Sequence, residues 1–170
     1  MKNILAICGS ASSTSSNAAF LKSMRTAFDD GYRIEVYEGL RDLPLFRPED
    51  LEGELNAGVK VWKEKIMNAD AIIICTPEYT HNMPAVLKNG LEWITASGEM
   101  ADKKVLPITL TPHEPRGEWA MQSLLFSLKT LNAQIVAHIP LYKNELTKEG
   151  EYFVIADELA DMLGEALSLL

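Results

Sequence analysis

Between Gly9 and Asn17 the chain reads Gly-Ser-Ala-Ser-Ser-Thr-Ser-Ser-Asn, six hydroxyl residues and one amide in nine positions. Capping a helix takes one or two such side chains. A run this dense, placed where a strand hands over to a helix, offers hydroxyls, free backbone N–H groups and a helix dipole to an anion. Ser10, Ser12, Ser15, Ser16 and Asn17 are therefore candidate phosphate ligands. No second glycine occurs before Gly31, so the dinucleotide fingerprint is absent. No lysine falls between Lys2 and Lys22, so the loop is no nucleoside-triphosphate cradle. What remains is a single phosphomonoester bound without metal, of the kind FMN carries.

The elements around this loop alternate. Asn3–Cys8 reads as a buried strand, and Phe20, Leu21, Met24 and Phe28 follow helical spacing. Arg33–Tyr37 alternates like a strand with more polar exposure. Leu51, Leu55, Val59, Trp62 and Ile66 share one helical face. Asp70–Cys75 is a continuous apolar run, as expected of a central parallel strand. A helix starting at Pro84 carries Val86, Leu87, Leu91 and Ile94. Val105–Leu110 is the fourth strand, with Pro107 an awkward member. Met121, Leu124, Leu125, Leu128 and Leu131 mark a helix, Gln134–Ile139 a fifth strand, and Ile155 to Leu170 a closing helix. Five strands alternating with five helices specify an α/β doubly wound parallel sheet, and right-handed crossovers favour the order 2-1-3-4-5. In such a sheet ligands bind beyond the carboxyl ends of the strands, so the loops after Cys8, Cys75 and Leu110 should carry the chemistry.

Composition narrows the partners. The 170 residues carry 16 Lys+Arg against 24 Asp+Glu, a net charge of −8, with 47% hydrophobic residues. That length suits one domain over residues 1–170, and the apolar content excludes intrinsic disorder. The acidic balance and the lack of a basic stripe argue against nucleic acid. No apolar run reaches the roughly 18–20 residues of a membrane span. Cys8 and Cys75 have no zinc-ligand or CxxC spacing and read as small buried hydrophobes. Three scattered histidines suggest no metal site. The apolar stretch Ile4–Cys8 is shorter than a signal-peptide core, so the expectation is a cytoplasmic protein that keeps its N-terminus.

The second loop runs Thr76-Pro77-Glu78-Tyr79-Thr80-His81-Asn82-Met83-Pro84, then Ala85-Val86-Leu87-Lys88-Asn89-Gly90-Leu91-Glu92-Trp93. It resembles the TPEYNxSxPGxLKNAxDW signature of the NAD(P)H-dependent FMN reductase family, which includes quinone, chromate and azo-dye reductases. Gly9, Ser10, Ser15 and Asn17 match that family's GSxRxxSxN motif, and Leu43-Pro44-Leu45-Phe46 resembles its DLPLY/F loop. The resemblance implies a flavodoxin-like fold holding noncovalent FMN, with its phosphate on the first loop and its ring along Pro77, Glu78, Tyr79 and Thr80. It implies NAD(P)H as electron donor and a quinone, flavin or other small molecule as acceptor. Independently of the resemblance, rigid prolines, an aromatic wall and main-chain donors suit an isoalloxazine. Hydride transfer to a flavin needs no protein base, so Glu78 is given a positioning role and no catalytic side chain is expected.

Three departures accompany the likeness. Ser12 stands where the motif has Arg, Thr80 where it has Asn, and the third loop, Thr109 to Gly117, keeps only part of the motif's glycine positions. His113 and Arg116 occupy two of those positions, and with Thr111 they become candidate ring contacts; a cation there would favour reduced flavin or meet the 2′-phosphate of NADPH. An FMN-holding electron carrier, or a relative that has lost FMN and serves as a scaffold, stay open as other readings. A homodimer or homotetramer is expected, with Trp62, Trp93 and Phe46 as candidate contact residues.

Overall fold

The computed structural model describes residues 1–170. Strands β1 (Lys2–Cys8), β2 (Tyr32–Tyr37), β3 (Ala71–Thr76) and β4 (Lys104–Thr111) form a parallel sheet with the short strands β5 (Gln134–Ile135) and β6 (Ile139–Tyr142). The order is β2-β1-β3-β4-β5, and β6 also pairs with β4, beyond β5. The expected doubly wound order is therefore the one observed. Side-chain alternation splits the core into two layers. Ile4, Ala6, Ile73, Leu106 and Ile108 pack under α1 (Ser16–Ala27) and α5 (Asp157–Leu169). Leu5, Ile7, Ile72 and Ile74 pack against α2 (Ala57–Asn68), α3 (Ala85–Glu92) and α4 (Glu118–Thr130).

The fifth strand differs from the expected Gln134–Ile139 run, and Pro107 is the reason. Val136 N–H donates to the Val105 carbonyl at 3.1 Å. Two residues on, the return donor to that edge would be residue 107, which as proline has no N–H. The ladder stops there and resumes only at Ile108↔Ile139, so one strand becomes β5 and β6 and the second piece runs on to Tyr142. The proline survives in a central strand because the neighbour yields at that point.

Two other expectations are corrected. Leu51 lies in a separate short 3-10 turn (Pro48–Leu51) and Leu55 ahead of α2, which begins after Asn56 accepts the Gly58 N–H at 2.8 Å. Both leucines still pack on the same core, which is why the spacing looked continuous. Trp62 and Trp93 are buried rather than offered to a neighbour: their indole N–H groups donate to Gly90 and Pro44 carbonyls at 2.9 and 2.8 Å. Tyr37 stacks on Trp62, and Phe46 meets Trp93 edge-on. After β6, a small antiparallel hairpin, β7 (Lys148–Glu149) with β8 (Tyr152–Phe153), packs on α1, where Phe153 N–H donates to Ser23 Oγ.

Candidate functional site

The carboxyl ends of β1, β3, β4 and β6 open into one cleft of about 280 Å3. Nine of the twelve residues expected in the site line it: Ser10, Ser12, Ser15, Ser16, Asn17, Pro77, Glu78, Tyr79 and Arg116. Thr14, Leu110, Pro112 and Lys143 complete the wall.

Local geometry explains how the first loop reaches this position. Gly9 N–H donates to the Cys75 carbonyl at 2.8 Å, extending the β1–β3 ladder by one step. A Cβ at Gly9 would sit 2.8 Å from Thr76 Oγ1, so only glycine allows the approach. Ser15 is the N-cap of α1 and accepts the Ala18 N–H at 3.3 Å. Ser12 N–H donates to Ser10 Oγ, and Thr14 N–H to Ser12 Oγ. The backbone N–H groups of Ser15, Ser16 and Asn17 donate to no protein acceptor. Three adjacent free donors at a helix N-terminus, ringed by hydroxyls, match the oxygens of a phosphomonoester. The residues present thus fit such a group.

Ser15 and Asn17 also hold the loop down. Cys75 Sγ donates to Asn17 Oδ1 at 3.2 Å, and Cys8 Sγ lies 3.5 Å from Ser15 Oγ. Both thiols are buried, unbridged and in register on neighbouring strands. Burial pushes the Cys8 thiol up, tempered by the Ser15 hydroxyl and the Ser10 carbonyl. Burial pushes Cys75 well up, with Cys8 adding to it. Folding therefore favours the protonated thiols. The stability this gives is fully present below the unfolded thiol pKa of about 8.5 and is lost as pH rises beyond it. Accordingly, the denaturation midpoint should fall from about pH 8.5 upward, and a Cys8→Ser, Cys75→Ala protein should show a flatter fall. In the native protein at pH 8 neither thiol should react with an aromatic disulfide reagent; rapid modification of either would refute the assignment.

Glu78 does more than the expected positioning. Its Oε2 accepts three backbone N–H groups, from Gly117 at 3.1 Å, Trp119 at 3.0 Å and Ala120 at 3.1 Å. The carboxylate, 8% exposed, thereby closes the N-terminus of α4 and ties the second loop to the third. Gly117 starts α4 with φ +105, and a Cβ there would lie 3.0 Å from Thr109 Oγ1. The N-termini of α1 and α4 beside the cleft differ: α4 is filled by the protein's own carboxylate, whereas α1 is open.

Thr80, Thr111 and His113 do not line the cleft. Thr80 and His81 both have positive φ and form the two-residue turn that brings Tyr79 back to Asn82, with N–H···O distances of 2.9 and 3.0 Å. Thr80 Oγ1 donates to the Tyr79 carbonyl within that turn. Thr111 is buried, and its hydroxyl donates to the Arg116 carbonyl at 2.8 Å, closing the third loop. His113 is exposed, its Nδ1 2.9 Å from the Glu114 carbonyl. Lys143, by contrast, was missed. It follows β6, and extending the strand-end rule to the fifth strand at its true end, Tyr142, would have found it.

A second recess of about 210 Å3 flanks the outer side of the same loop, against the β7–β8 hairpin. A larger groove of about 560 Å3 lies between α3 and α4 and includes Phe46 and Leu91. The recess shares Thr14, Ser15 and Ser16 with the cleft but not the Pro77–Tyr79 wall, and the groove contains none of these residues.

Among characterised proteins, this chain is 43% identical over 105 residues to the NADH:(hydroxy)cinnamate reductase subunit CrdA of Vibrio ruber, covering 61% of this chain and 51% of that protein. It is 32% identical over 123 residues to an NADPH azoreductase of a Bacillus species, covering 72% and 68%. The chain spans about half the length of the first of these. In structure it superposes on FerB, a flavoenzyme NAD(P)H:(acceptor) oxidoreductase from Paracoccus denitrificans, with a TM-score of 0.80 at 19% identity, over 99% of this chain and 95% of that one. That likeness bears on the fold. The family model described as NADPH-dependent FMN reductase matches residues 2–145, and with that match the chain belongs to the NADPH-dependent FMN reductase family.

Proposed function

We propose that this protein is an NAD(P)H-dependent FMN oxidoreductase that passes electrons through noncovalent FMN to a quinone, a flavin or another small acceptor. The observation that carries this reading is the contrast between the two helix N-termini. The α1 end presents free Ser15, Ser16 and Asn17 N–H groups to the cleft, while Glu78 fills the α4 end. A single anionic group is thereby directed to the first loop, and the planar remainder of the ligand to the Pro77–Tyr79 wall.

When bound, FMN supplies the hydride-accepting ring. The chain's own work is binding and orientation. Ser10, Ser12, Ser15, Ser16 and Asn17 would hold the phosphate through hydroxyls and backbone donors. Pro77 and Tyr79 would fix the plane of the ring, and Glu78 holds the third loop, with Arg116, in place beside it. No side chain has to take a proton. The cleft is small and open, with Tyr79 exposed at its mouth, so a second reactant can reach a bound ring directly.

We further propose a homodimer or homotetramer. The support is an apolar rim: Trp119 and Tyr79 are each 53% exposed beside the cleft, and Phe126 stands out on α4. The two unbridged buried thiols suit a reducing compartment, which supports a cytoplasmic setting.

The test is reconstitution. Protein incubated with FMN and desalted should stay yellow, and anaerobic mixing with NADPH or NADH should bleach the visible flavin band. A colourless protein would overturn the FMN reading. A yellow protein whose band persists with both nucleotides would overturn the reductase reading and leave an electron carrier.

A further inference from the structure

We infer that Lys143 is the cation that grips the ligand's phosphate, reaching across the sheet ends to the first loop. The inference rests on the FMN reading above and adds a residue to it. From Gly9 to Asn17 the chain has no basic side chain, so the cradle itself supplies dipoles but no full positive charge. In a protein of net charge −8, the cleft nonetheless gathers two cations, Arg116 and Lys143, against one carboxylate, Glu78. That carboxylate is already engaged by three N–H groups of α4. The balance inside the cleft is thus the reverse of the balance outside it.

Position assigns the phosphate to Lys143. Ile139 and Leu141 belong to the core layer that α1 and α5 cover, and the same alternation continues to Lys143, which places its side chain on that face of the sheet. Asn17, in the first turn of α1, sits over Cys75 at the end of β3. From β3, β4 is the next strand and β6 the one beyond it, a gap of about 10 Å at the usual strand spacing. A lysine's four-carbon stem plus a hydrogen bond to a phosphate oxygen can cover that gap. The turn carrying Lys143 is fixed from behind, because Asn144 N–H donates to the Pro112 carbonyl at 3.2 Å. Glu114, Glu118 and Glu145 surround the neighbouring Tyr142 and, after burial, help raise its hydroxyl pKa. None of them forms an ion pair with Lys143, whose ammonium has no carboxylate within 4.0 Å. Lys148 does not line the cleft; it stands in the recess on the outer flank of the loop.

Titration with FMN and with riboflavin, which lacks the phosphate, tests the assignment without recourse to turnover. In Lys143→Gln, the Kd for FMN should rise roughly 10- to 100-fold, the loss of one charge-assisted hydrogen bond. The Kd for riboflavin should stay unchanged. Lys143→Arg should restore most of the FMN affinity, and Lys148→Gln should leave both constants as they are. Inorganic phosphate should compete with FMN less well in Lys143→Gln than in the unaltered protein. Equal FMN affinity in Lys143→Gln overturns the inference, as does an equal loss for FMN and riboflavin, which would place the lysine on the ring or in the fold. If the unaltered protein binds neither flavin, the FMN reading itself fails, a result distinct from either of these.

Discussion

Replacing Ser16 by Asp should weaken FMN binding on the order of a thousandfold while leaving the fold as stable as before, or slightly more so. The two halves of this expectation have opposite electrostatic signs at one position. Ser16 is the first residue of α1, and that helix has no acidic residue in its first turn, unlike α4 and α5. An aspartate there faces the positive end of the helix dipole, worth about 0.3–1 kcal/mol of stabilisation. A structural reading of the serine-rich loop stops at that gain. If the loop holds a phosphate, the new carboxylate stands within about 4 Å of it, and one pair of like unit charges at that distance costs about 4 kcal/mol at a surface-like dielectric. At 1.4 kcal/mol per tenfold, this is on the order of a thousandfold in Kd. Isothermal titration with FMN reads the binding and thermal unfolding reads the fold. A gain in Tm with unchanged FMN affinity would place the ligand elsewhere.

The open α1 end was legible from sequence because every part of it is local. Gly9, the hydroxyl run and the start of the apolar spacing at Phe20 lie within a dozen residues, and the periodicity switch marks where a strand end meets a helix start. The sheet order was legible for a related reason: continuous apolar runs at Asn3–Cys8 and Asp70–Cys75 label the strands buried on both faces.

What stayed hidden depends on residues far apart in the chain. Pro107 was suspect within its own strand, yet its effect falls on a neighbour about 30 residues later, where it splits β5 from β6. That shift moved the end of the fifth strand to Tyr142 and so concealed Lys143. Thr80 and His81 carry none of the usual turn chemistry, so nothing local announced the tight turn that withdraws Thr80 from the cleft. Trp62 and Trp93 looked like interface aromatics because their indole partners, the carbonyls of Gly90 and Pro44, lie 28 and 49 residues away. An exposed-looking pattern became a satisfied core only in three dimensions.

Removal of the Glu78 carboxylate is the other large expected effect, and it shows as loss of stability before loss of chemistry. In Glu78→Ala, the N–H groups of Gly117, Trp119 and Ala120 lose their shared acceptor, and the dipole of α4 loses its counter-charge. Hydrogen bonds to a charged group are worth about 1.5–3 kcal/mol, and an N-terminal cap adds to that range. A cost of about 2–3 kcal/mol corresponds, for a chain of this size, to a Tm lowered by roughly 5–10 °C. Glu78→Gln keeps an acceptor oxygen at the same place and gives up the charge, so it should lose about half as much. Sulfate should then stabilise Glu78→Ala more than the unaltered protein, because an emptied helix N-terminus becomes an anion site. The same pair of variants separates capping from proton transfer. A carboxylate acting as general base is lost equally in Gln and Ala, whereas a cap is largely kept in Gln. Turnover in Glu78→Gln close to that of the unaltered protein, with Glu78→Ala impaired in both Tm and FMN affinity, is the result a cap requires. Equal inactivity of the two variants with unchanged Tm would instead make Glu78 a catalytic base.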